Sequence, residues 1–178
     1  MNTTINSSII GQLEQAENFP GCWKSELVPI PLFDNLKLNI TFIGFNPVSD
    51  KKFISEADEA IRQFLSLGNS YRFEISKEIV ENYIDSLARE ESTDSEHYSR
   101  KIQNEKEIWN YVHPIEIIVT RRPTHIRDMY IIVACECEWE KEYGLQLVFK
   151  HGKKLTRVSE QDGHVTESDA YNLNDNEE

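Results

Sequence analysis

The stretch Met129–Val158, MYIIVACECEWEKEYGLQLVFKHGKKLTRV, constrains the fold more than any other part of the chain. In Met129–Trp139 every second residue is apolar: Met129, Ile131, Val133, Cys135, Cys137 and Trp139. Side chains of a strand alternate between faces, so these six share one face. The other face runs Tyr130, Ile132, Ala134, Glu136 and Glu138, from apolar to acidic. The pattern predicts a strand covered on both sides at its start and open to water at its end. Trp139–Tyr143 then leads through Gly144 into a second strand, Leu145–Phe149, and His151-Gly152 turns the chain into a third, Lys154–Val158. A two-residue turn sets Val148 opposite Leu155 and Gln146 opposite Arg157. A three- or four-residue turn changes that register.

Ahead of this stretch the period changes twice. Glu26–Phe33 and Leu36–Phe45 read as a strand pair around Asp34-Asn35, two residues that tolerate positive φ. Pro29 and Pro31 lack ladder donors, which puts the first run at an edge or makes it irregular. Ser55-Glu56-Ala57-Asp58 resembles a capping box, and Ala57, Ile61, Phe64 and Leu65 follow on one helical face. A second helix begins near Ser76, with Ile79, Val80, Tyr83, Ile84 and Leu87 at three-and-four spacing. A weaker third is expected over Glu96–Val112, stopped by His113-Pro114. Ile115–Thr120 returns to alternation as a strand.

The resulting expectation is an α+β fold. An antiparallel sheet of five to six strands carries two or three helices packed on one face, in the order ββαα(α)ββββ. A chain of 178 residues fits a single domain. Residues 26–165 are expected to form it, between an N-terminal polar extension (1–25) and a disordered acidic tail (166–178). Within the extension, Ile9–Ala16 reads as a short helix or a frayed segment.

The net charge of -12 argues against a nucleic-acid or anionic-membrane partner, because phosphate contacts need clustered Lys and Arg. It suits a basic protein partner, and it also serves solubility alone. Cys22, Cys135 and Cys137 are odd in number and form no disulfide framework, which points to a reducing cytoplasm. No basic leader and no run of eighteen apolar residues is present, so no membrane span is expected.

Cys135 and Cys137 point the same way and could share a metal, but zinc sites space their ligands differently and need four of them. Packing explains the pair better, and no metal or cofactor is expected. Glu136, Glu138, Glu140 and Glu142 crowd a strand end. They lack the nucleophile and base that a hydrolase needs, so no catalytic residue is assigned. Recognition is the better use: Glu138, Trp139, Glu140, Glu142 and Tyr143 combine amphipathic aromatic area with carboxylates. Arg121, Arg122, His125 and Arg127 form a basic cluster in an acidic chain. They are read as anion ligands or as internal counter-charge, with the Glu138 region as their partner. A small-ligand or hydrolase site combining Arg121, Arg122 and Arg127 with Glu138 is the alternative reading.

Tyr130–Phe149, followed by a Lys/Gly turn and Asp162-Gly163, resembles an uncharacterised bacterial domain family. Its pattern is a hydrophobic strand, then Trp-acidic-x-Glu-His-Gly-Leu, a strand, a glycine-containing turn and a final strand. Trp139, Glu142, Gly144 and Leu145 are the anchors, and Tyr143 stands where the pattern has His. Pro31-Leu32-Phe33 with its following strand and Phe64-Leu65-Ser66-Leu67 also fit, so the resemblance covers most of Pro29–Gly163. It implies a small cytoplasmic bacterial protein, similar to presumed immunity proteins of polymorphic toxin systems, and it implies no activity. The expected function is a non-catalytic module that covers a basic toxin.

Overall fold

The computed structural model describes residues 4–89, 102, 104–122 and 127–173. Eight strands form one sheet whose spatial order follows the chain: β1 (Thr4–Ser7), β2 (Gly11–Gln15), β3 (Trp23–Ile30), β4 (Leu36–Phe42), β5 (Val112–Arg121), β6 (Met129–Cys137), β7 (Leu145–Lys150) and β8 (Lys154–Glu160). Between β4 and β5 lie α1 (Phe53–Leu65), α2 (Asn69–Glu74), α3 (Ser76–Arg89) and a short 3₁₀ helix, Glu105–Asn110. A last short helix, α4 (Glu167–Tyr171), follows β8.

The expected fold is corrected in three respects: eight strands replace five or six, the sheet is mixed rather than antiparallel, and the order ββββαααββββα replaces ββαα(α)ββββ. The β4–β5 pair is parallel, with Ile40 opposite Ile117 and Phe42 opposite Val119. The physical reason is the connection between them. A long helical crossover brings the chain back to start a neighbouring strand at the same end, whereas tight turns reverse it. Helices grouped mid-chain therefore mark one parallel step. The α+β character stands.

The additional strands come from the polar N-terminus. β1 and β2 form a hairpin, and β2 continues the sheet through Leu13 opposite Ser25. Leu13 is fully buried. Strands this short carry too few alternating positions to show a period. Tertiary contact holds them: the Asp58 carboxylate on α1 accepts from the Ser7 hydroxyl (2.5 Å), the Ser8 amide (2.7 Å) and the Ser8 hydroxyl (2.5 Å). Asp58 thus does not close a capping box. The helix starts at Phe53 with no side-chain cap.

Pro29 sits within β3, but β2 pairs only with Trp23–Ser25. Beyond Ser25 the strand is locally an edge, where a missing N–H costs no ladder bond. The connection to β4 is longer than two residues: a 3₁₀ turn, Pro31–Phe33, precedes Asp34 and Asn35, both at positive φ. Pro114 likewise occupies a bulge in β5, so His113-Pro114 shapes a strand instead of ending a helix. The expected third helix is reduced to Glu105–Asn110, and its residues 96–101 and 103 lie outside the described residues.

The alternation in β6 is realised in full. Met129, Ile131, Val133, Cys135, Cys137 and Trp139 all join the main core beneath α1 and α3, with Ile61, Phe64 and Tyr83. α1 touches both β6 and β1, five strands apart. A 13-residue helix is about 20 Å long, so lying across the strands it can reach both. The β7–β8 turn closes on the same helix: at Gly152 (φ +68°) a Cβ would lie 2.0 Å from the Ala60 carbonyl oxygen. That turn spans His151–Lys153, so Phe149 faces Leu155, Val148 faces Arg157 and Gln146 faces Ser159. The two-residue register is therefore corrected.

The opposite face of the sheet carries a smaller apolar cluster of Tyr130, Ile132, Val148 and Val165. Val165 belongs to the C-terminal segment, and α4 follows it. The disordered tail expected from 166 onward is thus corrected for Glu167–Tyr171. Residues 174–178 lie outside the described residues.

Candidate functional site

β6 ends at Cys137, and Glu138–Gly144 turns the chain into β7. The five aromatic and acidic residues singled out from the sequence do different things here. Trp139 folds back into the core and is 8% exposed. Its indole nitrogen donates to Asn82 Oδ1 (3.3 Å), and its ring meets the edge of Tyr83 at 5.3 Å. It anchors the turn to α3 and offers little surface to a partner. Glu140 Oε1 accepts from the amides of Glu142 and Tyr143, both at 3.1 Å, so this carboxylate holds the turn. Gly144 has φ +71°, and a Cβ there would lie 2.7 Å from the Cys135 carbonyl oxygen. Glycine is required because the turn passes directly over the strand it has left.

What faces water is Glu142, Tyr143 at 58% exposure, and partly Glu138. Glu136 on β6 and Glu160 on β8 are exposed at the same end of the sheet. The register places them there: Glu136 is opposite His113 near the start of β5, and Glu160 is opposite Leu145 at the start of β7. Among the described residues none of Glu136, Glu138, Glu142 and Glu160 forms an ion pair. The result is an acidic rim with one exposed tyrosine. Beside it, a polar groove of about 570 Å³ opens between α3, β8 and α4, with Trp139 and Glu140 on its wall.

The basic cluster lies at the other end of β6. Arg121 is opposite Met129, while Glu138 follows Cys137. Nine residues of strand separate these positions, about 30 Å. The arginines and Glu138 therefore do not line a common site. Arg121 is buried, pairs with Asp50 and Glu56, and lies over the Phe53 ring at 5.1 Å. Arg122 is buried in a two-pronged contact with Asp169, both bonds at 2.8 Å. Arg127 is exposed and reaches Asp50 at 3.2 Å. The internal counter-charge reading describes these contacts, but the partners are Asp50, Glu56 and Asp169 and not the Glu138 region. His125 lies outside the described residues.

Cys135 and Cys137 are buried, and burial pushes both thiols up. Their hydrogens point to the carbonyls of Val133 and Glu140 at 3.8 and 3.7 Å. Thiols held protonated are poor nucleophiles and poor metal ligands. Among the described residues no group of three or more His, Cys, Asp or Glu is arranged to hold a metal ion. No helix among them is long and apolar enough to cross a membrane.

Sequence reasoning missed Asp50 and Asp169, and it noticed Glu56 and Asp58 only as a capping box rather than as the tertiary partners they are. Each is an acid in a helix or loop whose partner is 47 or more positions away. No local pattern marks such pairs. The one available signal was the excess of acids around a few arginines.

A search among curated proteins found no match, and neither did a search among solved structures. A family model described as Domain of unknown function (DUF6985) matches residues 9–165. Its span takes in β2 to β8, the helical crossover and the whole acidic rim. Thr4–Ser7 precede it and α4 follows it. With most of its length matched, the chain belongs to the DUF6985 family.

Proposed function

We propose that this chain is a non-catalytic binding module of toxin-immunity type, acting in the bacterial cytoplasm by covering a basic partner protein. The observation that carries the reading is the unneutralised rim. Glu136, Glu138, Glu142 and Glu160 lie at one end of the sheet and form no ion pair among the described residues, next to the exposed ring of Tyr143. At the other end of β6, by contrast, Arg121, Arg122 and Arg127 are paired with Asp50, Glu56 and Asp169. A surface that keeps its charge and adds an amphipathic ring suits a partner that supplies the Arg or Lys. The net charge of -12 speeds that encounter. The toxin-immunity class rests on the sequence resemblance given above.

The test is co-expression with the product of the adjacent gene. Expressed alone, that product should arrest growth; together with this chain, growth should resume. The triple variant Glu138→Lys, Glu142→Lys, Tyr143→Ala should remain folded and lose the protection. An adjacent product without toxicity, or protection unchanged by the variant, would overturn the reading.

A further inference from the structure

The C-terminal arm crosses the outer face of the sheet from β8 towards β5, and its contacts resemble those of a bound peptide. Its root is fixed. Gln146, buried on β7, donates to Asp162 Oδ1 and to the His164 carbonyl (3.0 and 2.9 Å). Arg157 on β8 grips the same Asp162 carboxylate with two nitrogens (2.8 and 2.5 Å). Beyond the root the hold changes. Val165 enters the apolar patch of Tyr130, Ile132 and Val148. The Thr166 hydroxyl accepts from the Asp169 amide (3.1 Å) and starts α4. Glu167 reaches Arg157 at 3.2 Å, and Asp169 receives the fork of Arg122.

Arg122 and Arg157 are only 4% and 5% exposed. A guanidinium so enclosed needs a carboxylate, and its planar fork selects one in a fixed orientation. The face is thus built for an apolar residue followed by acids. The resident segment fills it incompletely. Tyr171 is 70% exposed. One flank of the arm borders the groove of about 570 Å³, and the other borders a second hollow of about 360 Å³ lined by Tyr130, Thr156 and Leu173. A five-residue helix whose segment buries only the small side chains of Val165, Thr166 and Ser168, and is otherwise held by charges, belongs to the least stable part of such a fold. The receiving residues Arg122, Tyr130, Ile132, Val148 and Arg157 all lie within the span matched by the family model, whereas Thr166–Leu173 lie after it.

We infer that this cleft is a recognition site for an acidic peptide segment of a protein partner, and that the arm is its resident, displaceable ligand. The segment carries an apolar residue for the Tyr130–Ile132–Val148 patch, a hydroxyl residue after it, and carboxylates for Arg157 and Arg122. Asp162 keeps Arg157 paired when the arm leaves, and Arg122 reads the second carboxylate through its two-pronged contact. The site is separate from the acidic rim, and neither reading depends on the other.

The experiment uses the full chain carrying Glu167→Gln and Asp169→Asn, which removes the arm's charges and leaves both arginines in place. Hydrogen exchange reports the arm separately from β6 and β7. The probe is a labelled peptide with the sequence of residues 164–173, HVTESDAYNL, followed by fluorescence anisotropy. A control peptide carries Gln and Asn at its two acids. The arm should exchange roughly tenfold faster in the variant, with β6 and β7 unchanged. The probe should bind the variant roughly tenfold more tightly than the unaltered chain, and the control peptide should not bind. Adding Arg122→Gln should remove the gain; should that variant unfold, the control peptide still tests recognition of the acids. The inference is overturned if arm and β6 exchange rise together, if the arm exchanges no faster, or if the probe ignores the variant. Equal binding of probe and control would also overturn it.

Discussion

At the start of β6, Arg121, Arg122 and Arg127 meet Asp50, Glu56 and Asp169, whereas at its end Glu136, Glu138 and Glu142 meet no cation among the described residues. The two ends belong to one strand and differ in burial. Arg121 and Arg122 are enclosed by α1, the loop before it and the C-terminal arm, and enclosure makes a partner obligatory. The carboxylates at the far end keep their water and need none. In a chain with 31 acids and 19 Lys and Arg, many acids must lack a basic partner. Some, such as Glu14, Glu26, Glu78 and Asp85, are scattered over the surface, and four, Glu136, Glu138, Glu142 and Glu160, lie where β6, β7 and β8 present their polar ends. The difference separates charge that holds the fold from charge that is left over for an encounter.

The contrast breaks first at Arg121. Replacement with Ala removes the counter-charge of Asp50 and Glu56 and the packing over Phe53. The loss should be about 3 kcal/mol, the low end for a broken buried pair, because Glu56 retains water access and Asp50 retains Arg127. Urea unfolding measures it, and a loss below about 1 kcal/mol would place Arg121 with ordinary surface pairs. Asp58→Ala comes next. It strands the Ser7 hydroxyl and the Ser8 amide, with an expected cost of about 2 kcal/mol. Exchange should rise in β1 and β2 before it rises in β6, since the carboxylate ties only that hairpin to α1.

How far such contacts can be read from sequence depends on their range. The faces of β6, most core positions of α1 and α3, and the positive φ at Asp34 and Asn35 were legible, because each is set by neighbours within a few residues, whereas Ile84, expected on the apolar face of α3, is 55% exposed. β1 and β2 were not: four- and five-residue strands leave no period, and their fixing acid lies 50 positions away. Asp58 was visible but misassigned, since a capping-box spacing and a tertiary hydrogen bond use the same residue type. The parallel β4–β5 step was implicit in the mid-chain helices and was overlooked by reasoning from the tight turns alone. At the rim, Glu142 and Tyr143 were placed correctly at the surface. Trp139 continued the alternation inward, and that alternation, followed one residue further, makes it an anchor to α3.

The arm gives the comparison a pH axis. The hydrogen bond from Arg122 holds the Asp169 carboxyl below its ordinary 3.8, outweighing burial, which acts upward. A lowered folded value means the contribution is complete above pH 3.8 and is lost as pH falls through the folded value. At Asp162 burial also acts upward, and the bonds from Arg157 carry the net shift down. Acidification below pH 3.8 should therefore loosen the arm. Exchange at residues 166–173 read against pH should show the step, and Asp169→Asn should remove most of it.

The smallest expected effect on stability sits at the rim and tests the comparison most directly. Glu138→Gln and Glu142→Gln remove charges that pair with nothing among the described residues, so each should change unfolding free energy by less than about 0.5 kcal/mol. The sign should be favourable, because each relieves repulsion in a chain of charge -12. Glu140→Gln is the internal control. Its side-chain carbonyl still accepts from the Glu142 and Tyr143 amides, but Glu140→Ala loses both bonds and should cost about 1 kcal/mol. Three carboxylates within five residues would then divide into one that holds the turn and two that are available to a partner. A cost at Glu138 or Glu142 equal to that at Glu140→Ala would mean the rim belongs to the fold, and the two ends of β6 would no longer differ in kind.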